Sequence, residues 1–250
     1  MTTLMLSPQT SEDSQKLRRA ALNRGWTVVR WADWNRPAGL PETDLCLYAS
    51  PLFAARVSEL TGWTFEEPPD DWLLRLPPEL LKRDMNLTTL GRARGVTERR
   101  FFKPAAFKTF QAGVYESGEG LPDADKADQD NPVLISEVVT WKSEFRFFLL
   151  DGEARTGSVY FRDGHSGQVG HEWPCDPREY HQAKAVAEEA FRSTADHLPR
   201  SVVIDSGFIE GAGWAVIEAN PSWGSGIYGC EPDQVLTVIA PASRPRFSSF

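Results

Sequence analysis

Two acidic residues lie in neighbouring β-rich runs near the C-terminal end of the chain, where they could bind a cation together. Asp205 ends one run (VVID) and Glu218 lies in the next (WAVIEAN), with the glycine-rich link Gly211–Gly213 between them. This pattern predicts a β-hairpin. With the turn centred between the first two residues of the link, Asp205 lies directly opposite Glu218, and their Cβ atoms are about 4.5–5.5 Å apart. Because side chains alternate along a strand, Asn220 shares the face of Glu218.

The chemistry of this patch favours a divalent metal. Two carboxylates that face each other across strands repel, so a compensating positive charge is expected. Mg²⁺ prefers oxygen ligands, takes one or two protein carboxylates and completes its shell with water and phosphate oxygens. We therefore predict Asp205, Glu218 and Asn220 as ligands of Mg²⁺, with Mn²⁺ as a substitute. The alternative is that Asp205 ends a strand and that Glu218 pairs with a lysine or an arginine.

Further charged residues occur in β-rich runs upstream. Lys103 lies in the run RFFKP, Glu137 in ISEVV, and Glu144 and Arg146 in EFRFFLL. Alternation along a strand predicts that Glu144 and Arg146 share one face. The simpler interpretations are a solvated lysine and a salt bridge between Glu144 and Arg146, which contributes little if it is exposed.

The first third of the chain alternates between helix and strand signals. Helices are predicted over residues 11–24 and 51–60, and strands over residues 27–31 and 44–49, from apolar spacing and helix-start residues. This alternation favours a small sheet covered by helices. We predict an α/β domain spanning residues 1–76.

Two proline pairs, Pro68–Pro69 and Pro77–Pro78, interrupt the pattern. Prolines at this density disfavour helices and central strands, so a domain boundary is predicted near residue 76. The second domain then spans residues 77–250, and a helix over residues 79–94 opens it.

The rest of the second domain is rich in strand signals. Asp151–Gly152 is a hairpin turn signal, and Asp176–Pro177 is a helix start. Strands are predicted at residues 100–103, 110–115, 132–140, 144–150, 154–161, 202–205 and 214–220, and a long helix at residues 177–198.

The order of these motifs resembles that of the ATP-grasp superfamily. Such sequences carry a lysine in a Phe-x-Lys-Pro-like strand, an acidic hinge residue, an acidic-x-Arg element, an aspartate and a final Glu-x-Asn strand. This chain has the same order in RFFKP, ISEVV, EFR, VVID and IEANP, from about residue 79 to about residue 240. It is most similar to a compact bacterial and phage group of unassigned substrate that carries a Leu-x-Arg segment, here Leu81–Arg83. The resemblance implies an α+β fold of two subdomains with a nucleotide between them, preceded by a small α/β domain.

The resemblance also implies roles in nucleotide binding. Lys103 is expected to reach the α- or β-phosphate, and Lys108 is a candidate for a second phosphate contact, although its loop has less glycine than the superfamily loop. Glu137, Val138 and Val139 correspond to the hinge that holds adenine. The valines also fit a plain core role.

Three further residues are expected near the reacting groups. By the resemblance, Glu144 faces the ribose or the metal, Arg146 faces the phosphates or the acyl intermediate, and Arg83 faces the γ-phosphate or the acceptor. Weaker candidates for the wall of a carboxylate-substrate site are Arg155, Tyr160 and Arg162.

The implied activity is ATP- and Mg²⁺-dependent ligation. A small carboxylate or peptide-like substrate becomes an acylphosphate, and an amine or related nucleophile attacks it. A small-molecule kinase on the same fold and a non-catalytic nucleotide-binding module are the alternatives, and a homodimer is compatible with the sequence.

Composition narrows the remaining classes. The 250 residues carry a formal net charge of -8, which argues against duplex DNA or RNA as the main partner. Three cysteines without a C-x-x-C spacing argue against a disulfide framework and favour a reducing cytoplasm. No apolar run approaches the length of a membrane span.

Overall fold

The computed structural model describes residues 1–31, 44–105, 109–123 and 128–245, and its architecture is α+β, as predicted. The helices are α1 (Glu12–Asn23), α2 (Pro51–Thr61), α3 (Pro78–Leu81), α4 (Leu90–Ala93), α5 (Pro177–Ser193) and α6 (Pro232–Ile239). The first strands are β1 (Thr3–Leu6), β2 (Thr27–Arg30), β3 (Leu45–Tyr48), β4 (Trp63–Phe65), β5 (Met85–Thr89), β6 (Arg100–Pro104) and β7 (Gly113–Tyr115). The later strands are β8 (Pro132–Ser136), β9 (Trp141–Leu150), β10 (Glu153–Arg162), β11 (His165–Ser166), β12 (Ser201–Ile209), β13 (Gly213–Pro221) and β14 (Ser243–Pro245).

The N-terminal part contains a parallel sheet in the order β2-β1-β3. Helix α1 begins at a capping box formed by Ser11 and Ser14 and buries Leu17 and Ala21. The central strand β1 was not predicted, because its short apolar run lacks the alternation of a half-buried strand. All four of its residues are buried, as expected for a strand in a parallel sheet.

The C-terminal end of the described chain packs against this N-terminal part. Strand β14 pairs with β4, and the buried face of α6 shares one apolar cluster with residues of β1 and α1. The proposed division at residue 76 stays a prediction. No helix in the described ranges is both long and apolar enough to cross a membrane.

The predicted helix over residues 79–94 is wrong. Helix α3 ends at Leu81, because Lys82 adopts a left-handed conformation with φ of 50°. Residues Met85–Thr89 then form β5, which pairs with β8 through the register Met85↔Ser136. Asparagine and threonine have weak helix propensity, and pairing with a buried strand outweighs the helical pattern.

Two antiparallel sheets enclose the central part of the molecule. The small sheet has the order β5-β8-β6-β7, and the large sheet has the order β11-β10-β9-β12-β13. Helix α5 packs on one face of the large sheet with Ala183, Ala187 and Phe191. The other face carries the charged residues described below, and farther along it Phe148 and Val203 pack with α6.

The predicted turn at Asp151–Gly152 is confirmed and offers a test of this packing. Gly152 has φ of 80°, and a Cβ on it would lie 2.8 Å from the Phe191 ring of α5. Gly164, in the next turn, also has φ of 80° but has no atom within 4 Å of such a Cβ. We expect Gly164→Ala to lower the free energy of unfolding by about 1–2 kcal/mol through backbone strain alone. Gly152→Ala should cost more, because strain and clash combine, and equal losses in urea denaturation would contradict the packing of α5.

Candidate nucleotide and metal site

Three charged residues form a row across the middle of the large sheet. The register pairs Arg146 of β9 with Asp205 of β12, and Asp205 with Glu218 of β13. The sequence prediction that Asp205 lies opposite Glu218 is therefore confirmed. The row is unusual because it places two carboxylates and one guanidinium side by side on one face.

The register arises in a different way from the one predicted. Near the turn, Ile209 pairs with Gly213 and Ser206 with Val216, so a regular ladder would place Ile217 opposite Asp205. A β-bulge at Ile217 shifts the pairing by one residue and brings Glu218 there instead.

Arg146 and Asp205 form a buried, two-pronged ion pair. The Arg146 Nε lies 2.9 Å from Asp205 Oδ1, and Nη2 lies 2.7 Å from Oδ2. Asp205 is 0% exposed. Burial acts to lower the pKa of Arg146, but the Asp205 carboxylate outweighs it and raises that pKa. The pair therefore stays ionised, and both oxygens of Asp205 have a donor.

Glu218 pairs with a residue of the other sheet. Lys103 of β6 donates its Nζ to Glu218 Oε2, and the Asn220 amide donates to Oε1 at 2.9 Å. Burial acts to raise the pKa of Glu218, but Lys103 and Asn220 together lower it below its ordinary value of 4.5. Both carboxylates thus have cationic partners, which was the alternative considered from the sequence.

The oxygen donors left for a metal are those of Glu218 and Asn220. Among the described residues, no group of three histidine, cysteine, aspartate or glutamate side chains converges on one point. Asp205 is enclosed and held by Arg146, so its part in ligation stays a prediction. Glu218 and Asn220 are only partly buried, and a carboxylate with an amide oxygen suits a hard ion that takes its other ligands from water or phosphate.

A cavity of about 260 Å³ lies between the two sheets, beside Glu218. Its walls are mainly apolar, and Lys103 and Glu218 border it. The hinge residues Glu137, Val138 and Val139 also border it. In the described part of the chain, the backbone groups of Val138 and Val139 have no hydrogen-bond partner. The apolar walls are Leu73, Met85, Phe101, Val114, Leu134, Trp141 and Ile217, and Arg83 and Ser136 add polar groups.

Glu144 lies at the opposite side of the charged row. Tyr160 of β10 donates its hydroxyl to Glu144 at 2.7 Å, so Glu144 is held by Tyr160 and does not form the salt bridge with Arg146. Burial raises the pKa of Glu144, and the bond from Tyr160 only partly offsets it. The Arg146 guanidinium lies 5.5 Å from the Tyr160 ring centroid and 5.2 Å from that of Tyr228.

Three residues near Arg146 were not found from the sequence. Tyr228 stacks on Tyr160 with centroids 5.0 Å apart, and Asp13 of α1 accepts from Tyr48 at 3.2 Å and from the Ile227 N–H at 3.0 Å. In the sequence, Asp13 is only an acidic residue at a helix start, and Tyr228 follows a glycine-rich turn without apolar periodicity. Neither position carries a local signal of its contact with the sheet.

Arg83 borders the cavity, but its N–H groups donate to backbone carbonyls of Leu81, Val216 and Ile217. The weaker candidates Arg155 and Arg162 pair with Glu153 and Glu179, in partly exposed ion pairs. Lys108 lies outside the described residues.

Comparison with known proteins identifies the fold. The profile of an ATP-grasp domain family, described as family 2 of its clade, matches residues 80–238. No curated protein sequence gives a significant match. The solved structure of D-cycloserine synthetase DcsG is 14% identical and has a TM-score of 0.60, covering 96% of this chain and 99% of that chain.

Two further solved structures are similar. The N5-carboxyaminoimidazole synthase from Aspergillus clavatus, in complex with ADP, is 10% identical with a TM-score of 0.57, covering 99% of this chain and 79% of that chain. The macrocyclase MdnC from Microcystis aeruginosa MRC, bound with precursor peptide MdnA, is 11% identical with a TM-score of 0.52, covering 96% of this chain and 99% of that chain. At these identities the likeness shows the shared fold. Together with the family match over more than half of the chain, it confirms the predicted resemblance: the chain belongs to this ATP-grasp domain family.

Proposed function

We propose that the protein is an ATP- and Mg²⁺-dependent ligase that joins a carboxylate to an amine or related nucleophile through an acylphosphate. The observation that carries this proposal is the charged row at the end of an apolar cavity between two sheets. Adenine would lie in the cavity against Val138 and Val139, whose free backbone groups suit a purine edge. Glu137 is the hinge carboxylate beside them.

The phosphate end of the nucleotide would lie at Lys103 and Glu218. Glu218 and Asn220, with Asp205 behind them, would hold Mg²⁺ or Mn²⁺, which neutralises charge on the phosphate oxygens. Lys103 and Arg146 would neutralise the charge that develops as the γ-phosphoryl group is transferred. Arg83 adds a partly buried positive charge beside Glu218.

The reaction would proceed in two steps. A substrate carboxylate oxygen bonds to the γ-phosphorus and ADP leaves, and then the amine bonds to the acyl carbon, loses a proton and displaces phosphate. Arg146 faces Tyr160, Glu144 and Tyr228, which gives the carboxylate a polar and aromatic surface beside the phosphates. The structural neighbours support this class of substrate, because they include a synthetase and a macrocyclase bound with a peptide.

In the nucleotide-free protein, Lys103 occupies the carboxylate that the metal would use. Binding of a triphosphate would therefore draw Lys103 from Glu218 to the phosphates and leave Glu218 for the metal. This exchange accounts for a lysine and a metal ligand in direct contact. A cytoplasmic location fits a reaction that depends on ATP.

The role of Glu218 is tested by Glu218→Gln. We expect turnover of ATP to fall about 100-fold or more, and Mg²⁺-dependent nucleotide binding to be lost, because the amide removes the charged ligand. The control is Glu210→Gln, which changes an exposed glutamate at the end of the same hairpin. Turnover and Mg²⁺-dependent binding that survive in Glu218→Gln would show that the metal assignment is wrong.

The type of reaction is tested by its products. With a library of small carboxylates, Mg²⁺ and ATP, hydroxylamine should intercept the acylphosphate as a hydroxamate that mass spectrometry detects. A stable phosphoester in place of the hydroxamate would identify a kinase instead. ATP that binds but is never turned over would identify a binding module.

The exchange of Lys103 is tested by Lys103→Met. We expect the nucleotide-free variant to bind Mn²⁺ more tightly than the native protein, because Glu218 no longer has a competing cation. ATP should bind about tenfold more weakly or worse, because a charged hydrogen bond to phosphate is lost. Lys82→Met is the control, since Lys82 donates only to the Ala212 carbonyl. Changes of the same sign for Mn²⁺ and ATP would argue against the exchange.

The same pair predicts a pH dependence of stability. Lys103 lowers the pKa of Glu218, so the pair stabilises the fold fully above the ordinary glutamate pKa of 4.5 and loses this contribution as the pH falls through the lowered value. The free energy of unfolding should therefore differ by about 2 kcal/mol between native protein and Lys103→Met at neutral pH. This difference should narrow below pH 4.5 in urea titrations. A constant difference across that range would contradict the ion pair.

A further inference from the structure

Arg83 makes an unusual set of contacts for a residue beside a phosphate site. Its Nη1 donates to the carbonyls of Leu81 at 2.9 Å and Val216 at 2.7 Å, and its Nη2 donates to the carbonyl of Ile217 at 3.1 Å. Its guanidinium carbon lies 5.2 Å from the centroid of the Trp141 ring. These contacts hold the guanidinium on the backbone of β13, the edge strand of the large sheet.

Two of these contacts require the β-bulge. In a regular strand, consecutive carbonyls point to opposite edges, so one guanidinium cannot bind two of them side by side. The ladder skips Ile217 between the pairs Ser206↔Val216 and Asp205↔Glu218. The bulge turns the carbonyls of Val216 and Ile217 toward the same partner. Arg83 therefore satisfies polar groups that the bulge removes from the ladder.

The bulge in turn decides where Glu218 points. Ile217 and Glu218 are consecutive, yet both line the cavity between the sheets, which alternation in a regular strand forbids. Without the shift, the ladder from the turn would place Ile217 opposite Asp205. The carboxylate of Glu218 would then be one position away from the charged row.

We propose that Arg83 is a positioning residue, which holds the bulge and through it keeps Glu218 beside Asp205 and Asn220 at the metal site. The inference rests on the proposed role of Glu218. It differs from the role expected from the family resemblance, in which Arg83 contacts phosphate or acceptor. The position of Arg83 just after α3 also ties the start of the small sheet to this point of the large sheet.

A first experiment separates the two roles by their dependence on metal. Arg83→Gln should weaken Mn²⁺ binding to the nucleotide-free protein, measured by electron paramagnetic resonance, by about tenfold. ATP binding in the presence of EDTA, measured by calorimetry, should change by less than about twofold, because no phosphate contact is lost. A loss of ATP affinity in EDTA as large as the loss of Mn²⁺ affinity would overturn the proposal.

A second experiment removes the bulge. Deletion of Ile217 leaves Glu218 next to Val216, so a regular ladder from the turn again places Glu218 opposite Asp205. In this background Arg83→Gln should have no further effect on Mn²⁺ affinity. An equal loss of about tenfold with and without Ile217 would show that Arg83 acts on the metal site directly and would overturn the proposal.

Controls keep the result interpretable. Lys82→Gln changes the adjacent cation, which bonds the Ala212 carbonyl, and should leave Mn²⁺ affinity unchanged. If Arg83→Gln does not fold, Arg83→Lys replaces it, since one ammonium binds the two carbonyls less well and should give a smaller loss of Mn²⁺ affinity. Amide hydrogen exchange at residues 216–218 provides a readout without metal. Faster exchange in the Arg83 variant, with no Mn²⁺ binding even in the native protein, would support the positioning role and reject the proposed function.

Discussion

The buried ion pair between Arg146 and Asp205 is the interaction on which the site depends. A carboxylate with no solvent exposure is costly unless a positive charge and hydrogen bonds satisfy it, and Arg146 supplies both with two parallel bonds. Once Asp205 is satisfied in this way, the neighbouring Glu218 must find another cation. That cation is Lys103, which belongs to the other sheet. The electrostatics of one strand row therefore connect the two halves of the proposed ATP site.

The same row separates two regions with different chemistry. On one side lies the apolar cavity with Val138 and Val139, which suits a flat heteroaromatic ring. On the other side Arg146 faces the rings of Tyr160 and Tyr228, next to carboxylates held by tyrosine hydroxyls. Asp13 brings the N-terminal part of the chain to this second region through its bond to Ile227. The arrangement places nucleotide and acceptor regions at opposite ends of one line of charges.

The metal site shows how far reasoning from sequence reaches. The hairpin and the pairing of Asp205 with Glu218 were predicted correctly, but the turn lies elsewhere and the bulge at Ile217 compensates for the difference. The predicted helix over residues 79–94 failed because β5 pairs with β8, a contact between segments about fifty residues apart in the chain. Strand β1 was missed because four buried residues are too short a run to show a period.

The sequence by itself determined the α+β class, the order of the strands around the site and the residue types of the charged row. These follow from local properties: apolar periodicity, glycine and proline positions, and the ordered motifs that resemble ATP-grasp proteins. Only the tertiary structure decided the partners. Arg146 pairs with Asp205 and not with Glu144, Lys103 with Glu218, and Arg83 with the carbonyls of the bulge. A charge selects its partner by distance and burial after the sheets have packed, and neither quantity is encoded in the spacing of residues along the chain.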